Sequence, residues 1–359
     1  MSEPKPIGSD APTVSTPIQE TGTLMARLFV VPAVIVCLLL GVAVVVVLFG
    51  STSIDKPETI ADLLARIESD SGERTAGMLL APRAKESWQA SQELALRFQQ
   101  KDKFLKADEV EPTAQRMISI LRKFPPGQDV DEPGPGQQYF LMISLGRLGT
   151  DSGVETLARL LKDSNSSTRR TALQSLAEMR GVAAARLAVP SILPLLTDPK
   201  PAVQMVACAT LASLAERGNA VVIKAVSERL ESDREIQWNA AMTLARLGDL
   251  RGKMVLLNML ERGYWEKLDL EYVENGSTIR RKFTDVEISN NLRSAIEAVV
   301  HLKDAELAGL VGVLQKDSSV VVRDAARAAV EKMGSQKAEL TLRGVERFAC
   351  RLIFDGEVW

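Results

Sequence analysis

The chain has 359 residues, more than one hydrophobic core normally holds, so it is either two domains or one elongated array. Its 44 basic and 46 acidic residues give a formal net charge of −2, which argues against a bulk electrostatic role on nucleic acid. A 46% hydrophobic but only 4% aromatic composition suits helices packed with Leu, Ala and Val. Three cysteines are too few and too scattered for a disulfide framework or a zinc site. His301 is the only histidine, which removes any His-based metal cluster, triad or acid–base pair.

Residues 1–27 are polar and punctuated by Pro4, Pro6, Pro12 and Pro17, and read as a disordered tail that cannot bury enough surface to offset its ordering entropy. Leu28–Phe49 follows, with no charged or strongly polar side chain. At roughly 1.5 Å per residue it would span about 33 Å, close to a bilayer hydrocarbon core. It is too long for a cleaved signal peptide and apolar all round rather than along one stripe, so the reading is a retained transmembrane helix. Arg27 at its N-terminal end favours a cytoplasmic tail with the large domain on the other side of the membrane.

After Gly50, Ile60, Leu63, Leu64 and Ile67 fall on one helical stripe, and a second helix is expected over 84–99 with Trp88, Leu94, Leu96 and Phe98 as core candidates. A second pair follows, with Met117, Ile118 and Leu121 on one helix and Phe140, Ile143, Leu145 and Leu148 on the next. The Pro/Gly-rich run 125–136 between them cannot be helix. Residues 50–137 thus read as degenerate helical pairs.

From Leu160 the chain says the same thing twice. Leu-Leu-Lys-Asp at 160–163 returns as Leu-Leu-Thr-Asp at 195–198, and Asp163/Asp198, Leu176/Leu211 and Met179/Leu214 are each 35 residues apart. A fixed period in this range marks stacked helical pairs, which bury their apolar faces only against neighbours. The Leu145/Leu148 pair recurs at Leu176/Met179, Leu211/Leu214, Leu244/Leu247, Val299/Leu302 and Val330/Met333, in steps of 31, 35, 33, 55 and 31 residues. The long step predicts an insertion, at 264–284. Within it Asn275-Gly276 signals a two-residue hairpin turn. That turn sets Tyr272 against Ile279 and Leu268 against Phe283, pairs Glu271 with Arg280 and Asp269 with Lys282, and leaves Arg281 facing Leu270. Residues 335–359 supply an end helix, apolar at Val345, Phe348, Ala349, Leu352 and Ile353, that caps the array.

Leu-Leu-x-Asp, a short turn, Val/Arg, Ala-Ala and Leu-x-x-Leu resemble the HEAT-repeat family, most closely the short subtype of phycobilisome-lyase-like proteins. Asp163, Arg169 and Ala172 match it, as do Asp317, Val322, Arg323, Ala325 and Ala326, while Gln204 stands where arginine is usual. The resemblance is strong over 138–334, and the whole chain is similar to bacterial membrane-anchored HEAT-repeat proteins. It implies an all-α solenoid, a HEAT/armadillo-like superhelix with one inserted β-hairpin, preceded by a single transmembrane helix. It implies binding of other proteins, and with the residue readings the chain is expected to be a non-enzymatic scaffold or adaptor for protein partners, with no cofactor and no nucleic acid, touching lipid through Leu28–Phe49. A lyase-like accessory protein acting on a tetrapyrrole or protein substrate is the alternative, and a nucleic-acid-binding protein like the DNA glycosylases of this fold a further one.

No phosphate-binding loop, nucleophile elbow or CxxC pair occurs. Candidate partner-binding residues are Arg169, Arg170, Trp238, Tyr272, Arg280, Arg281, Lys282 and Arg323. Arg169 and Arg323 have a competing role as contacts to a neighbouring repeat's aspartate. Trp238 has one as core, and Arg280 and Lys282 have one as cross-strand partners of acids.

Overall fold

A computed structural model of the protein describes residues 58–70, 82–124, 136–274 and 277–334. The expected tail, transmembrane helix, Pro/Gly-rich run over 125–135, hairpin tip Asn275-Gly276 and C-terminal cap lie outside the described residues. Among the described residues no helix is long and apolar enough to cross a membrane.

Helices come in pairs. The first members are α1 (Ile60–Asp70), α3 (Ala107–Leu121), α5 (Asp151–Leu160), α7 (Val189–Ile192, between 3-10 turns), α9 (Ala220–Ser227) and α11 (Lys253–Met259). Their second members are α2 (Pro82–Arg97), α4 (Gln137–Leu148), α6 (Ser166–Glu178), α8 (Pro201–Leu214) and α10 (Arg234–Leu247). Beyond α11 come a short helix α12 (Arg262–Lys267), strands β1 (Asp269–Glu274) and β2 (Ser277–Lys282), then α13 (Asp285–Val299), α14 (Ala305–Val313) and α15 over 320–334. The insertion therefore sits inside a pair, between α11 and its second helix α13.

Polar caps start these helices. Thr150 accepts from Gly153 N–H at 3.1 Å, Asn165 from Ser167 N–H at 2.7 Å and Asn219 from Val222 N–H at 3.1 Å. Each satisfies a backbone donor that the first turn leaves orphaned. Gly248, at φ 84, ends α10 in the left-handed conformation that a side chain disfavours.

The second helices form a continuous layer in which α2, α4, α6, α8, α10 and α13 each pack on the next. The repeat leucines Leu145, Leu176, Leu211 and Leu244 are fully buried between the layers. Small residues set the spacing. A Cβ on Gly146 would stand 2.6 Å from the Ser175 carbonyl oxygen, so α4 and α6 meet backbone to side-chain-free backbone. Thr210 Oγ1 lies 3.1 Å from the Leu173 carbonyl and Thr243 Oγ1 3.0 Å from the Cys208 carbonyl, each reaching back to the preceding second helix. One buried cluster runs from Ile60 to Leu247 and another from Trp238 to Ala329, and α10 contributes to both.

The hairpin has the expected register, with Glu274 opposite Ser277, Tyr272 opposite Ile279 and Asp269 opposite Lys282. A lone two-stranded hairpin is marginal in water, and this one is fastened at its base. Leu268 and Phe283 pack into the second cluster. The Phe283 ring stands 5.7 Å from that of Trp265, which in turn is 4.5 Å from Trp238. Such edge and tilted contacts add about 0.5–1.5 kcal/mol each beyond area burial.

Two core expectations need correcting. Leu96 is 53% exposed, because the buried stripe of α2 runs through Ala90 and Leu94 to Phe98 just beyond its end and carries position 96 to the opposite side. Val330 is 37% exposed, because the inward face of α15 is Val322, Ala326, Ala329 and, partly, Met333, a spacing of four, three and four.

Candidate interaction groove

The residue just before the last apolar position of each second helix occupies an equivalent place in the array: Arg147, Glu178, Ser213, Arg246, His301 and Lys332. The layer thus presents one stripe of side chains on its unburied edge. Over the last four steps this edge opens into a groove of about 530 Å³. Its floor is small and apolar (Ala212, Ile296, Val300, Ala325, Ala328, Ala329), and its polar lining is Arg180, Ser213, Arg246, Glu297, His301 and Lys332. The volume lies within the ~300–1,000 Å³ range of ligand pockets.

Charge in the groove is one-sided although the chain is nearly neutral. Among the described residues Arg180, Arg246 and Lys332 pair with no carboxylate. Glu297, the one acid in the lining, faces Arg293 at 3.9 Å on its own helix. Arg217, in the turn after α8, donates to the His301 carbonyl. Burial, and then the charges of Lys332, Arg217 and Arg246, hold the His301 imidazole below its ordinary value.

The residues proposed from sequence sit elsewhere. Arg169 forks onto Asp198 of the next repeat, Nε to Oδ2 at 2.7 Å and Nη2 to Oδ1 at 2.9 Å, and also donates to the Asp163 and Ser164 carbonyls. Arg323 donates to the Asp317 and Ser318 carbonyls at 2.7 and 2.9 Å. Gln204 and Gln237 hold the corresponding places with single bonds to Asp198 O and Leu230 O, both 2.7 Å. This position therefore closes the end of the first helix, whether it is Arg or Gln. Trp238 is buried, with its indole N–H donating to Tyr264 Oη at 3.1 Å, so it belongs to the core that seats the hairpin rather than to an exposed surface. Arg170 is exposed on α6.

On the hairpin Arg280 pairs with Glu271, and Lys282 with Asp269 at 2.9 Å, as the register requires. Tyr272 is placed by register opposite Ile279. Arg281, which faces Leu270 across the strands, reaches the first turn of α13, where both its terminal nitrogens meet Glu287 at 2.7 Å. Arg281, followed by the Thr284 cap, pulls the Glu287 carboxyl down to about 2. The charged groups of β2 are thus engaged within the chain.

Sequence reasoning missed the groove. Arg180, Ser213, Arg246, His301 and Lys332 follow one another at 30 or more positions and share only their place beside a repeat apolar residue, so the signal is legible only after the period has been laid along the chain. Reading the third position of each Leu-x-x-Leu would have found Arg246, His301 and Lys332.

A HEAT-repeat family model matches residues 188–218, which span α7, the turn after it and α8. No curated protein matches the chain. The fold is similar to the CpcE–CpcF complex of phycocyanin lyase from Nostoc sp. PCC7120 (15% identity, 79% of this chain and 97% of that one, TM-score 0.42). It is similar also to the archaeal HEAT-like repeats protein from Thermococcus onnurineus NA1 (12% identity, 68% and 97%, TM-score 0.35). A designed armadillo repeat protein in complex with the peptide (KR)4 is a further likeness (15% identity, 76% and 99%, TM-score 0.34). Residues 188–218 match the HEAT-repeat model, and further helical pairs stack on either side of them.

Proposed function

We propose that this chain is a non-enzymatic scaffold that binds another protein in the groove edged by Arg180, Arg246, His301 and Lys332. The observation that carries this reading is a groove whose cations Arg180, Arg246 and Lys332 meet no carboxylate among the described residues, whereas Arg169 and Arg262 are engaged in holding repeats together. Groups spent on internal contacts add nothing to binding, whereas exposed unpaired cations beside an apolar floor supply both steering and area. The charges that act on the His301 imidazole are those of Lys332, Arg217 and Arg246, which favours recognition of an anion at this edge.

In this proposal Leu28–Phe49 anchors the chain in a bacterial inner membrane, with residues 1–27 cytoplasmic and the array on the other face. The length and uniform apolarity of that run support the anchor. A chain lacking residues 1–50 should be soluble and helical, and an insoluble product would overturn the anchor assignment. A reporter fused after Trp359 reads the orientation.

The binding reading is tested with a photo-crosslinking amino acid in the full-length chain in cells. Placed at Ser213 in the groove it should give a discrete crosslinked species. Placed at Met254, exposed on the first-helix layer, it should not. No adduct from Ser213, or equal adducts from both, counts against a groove-bound partner.

A further inference from the structure

We infer that the groove takes an acidic, carboxylate-bearing peptide segment of its partner. The inference rests on the scaffold reading above and adds the chemistry of what is bound. Three cations and one acid line the groove, and Arg217 stands beside it, in a chain whose overall balance is slightly negative. The excess is therefore local, set by which side chains follow the repeat leucines. Like charges gathered at a low-dielectric wall repel one another until an anion arrives, so carboxylates gain here and ammonium groups lose.

The floor decides between anions. It consists of alanines with Val300 and Ile296, and no Phe, Tyr or Trp lines it. Single-stranded nucleic acid would need stacking platforms, and these are absent from the lining. Small side chains leave room for an extended backbone, whose carboxylates reach Arg180, Arg246 and Lys332 at the edges. His301 sits among the same cations, and a bound carboxylate would relieve the field that Lys332, Arg217 and Arg246 impose on it, with Arg180 and Glu297 as the other charged groups facing it.

Because the chain has a single histidine, one imidazole resonance reports on the groove. The full chain in detergent, free of any histidine tag and labelled at histidine, is titrated with a short peptide of alternating Glu and Ala, with its Gln counterpart and with a single-stranded oligonucleotide. The Glu peptide should bind saturably and raise the His301 pKa, and the Gln peptide should do neither. Lys332→Glu, on an exposed position, and Arg246→Gln should each weaken the Glu peptide about ten-fold without altering the helical circular dichroism. Equal binding of the Gln peptide, tighter binding of the oligonucleotide, or no movement of the imidazole overturns the inference. If Ser213 crosslinks a partner while the Glu peptide fails, the partner has another chemistry and only this inference falls. If both fail, the scaffold reading falls with it.

Discussion

Arg262, on the inserted helix α12, forks onto Asp317 of the following repeat through bonds of 2.9 and 2.7 Å, as Arg169 forks onto Asp198. The two arginines do not occupy equivalent places in sequence. Arg169 comes from the start of a second helix, and the corresponding position of α13 is Ile288. The insertion that lengthens this repeat thus supplies the guanidinium that its second helix lacks.

Removing that guanidinium should be costly. Asp317 has a side chain only 4% exposed, and Arg262→Ala would leave its carboxylate with one backbone donor, the Ser319 N–H. We expect a loss of about 2–4 kcal/mol in urea unfolding. Arg262→Lys should recover part of it, because a single ammonium keeps the charge and loses the fork. A loss no larger than that of an exposed pair such as Arg186–Glu216 would refute the assignment.

Acid should loosen the hairpin before it melts the array. The Glu287 carboxyl falls from its ordinary 4.5 to about 2 when docked to Arg281 and the Thr284 cap. A carboxyl depressed in the folded state contributes stability above its unfolded value and loses it as pH falls through the folded one. At Asp317 burial pushes the carboxyl up, but Arg262 and the Ser319 N–H outweigh it, so the sign is the same. Stability should therefore drop between about pH 4.5 and 2. Glu287→Gln should flatten that part of the profile, read by the fluorescence of the tryptophans at the hairpin base.

The base, not the tip, should hold the hairpin. Trp265→Ala removes a ring that is 1% exposed and is expected to cost about 3–5 kcal/mol. Asn275-Gly276 replaced by Ala-Ala should disturb only the turn and leave the helical circular dichroism nearly intact.

Gly146→Ala sets helix propensity against sterics. In an exposed helix the change would gain up to about 1 kcal/mol. Here the new methyl would meet the Ser175 carbonyl oxygen at 2.6 Å, backbone that cannot swing aside. Sterics should win, with a net loss of about 1–3 kcal/mol in thermal or urea unfolding.

The hairpin register was legible because a two-residue turn leaves no freedom: once Asn275-Gly276 is placed, every pair from 274/277 to 269/282 follows. The repeat was legible because buried leucines must return in step. What the period did not show is where polar side chains turn once their helices are stacked. Arg281 and Glu287 are six residues apart and meet only because α13 begins directly after β2. Arg262 and Asp317 are brought together by packing across 55 residues. Leu96 and Val330 show the same limit for apolar residues, since either lies one position away from the stripe that packing selects.

Helix α10 gives Ala240, Leu244 and Leu247 to one buried cluster and Trp238, Ala241 and Ala245 to the other. It is the helix at which the two buried clusters meet, within one compact unit. The groove lies across that helix: Arg180 and Ser213 stand on one side, His301 and Lys332 on the other, and Arg246 on α10 itself. A peptide seated there would touch residues on both sides of α10, so it would bind only the array in which both clusters are folded. By mass action such a ligand would stabilise the stacked array as a whole, so occupancy of the groove can be read as a rise in its unfolding midpoint.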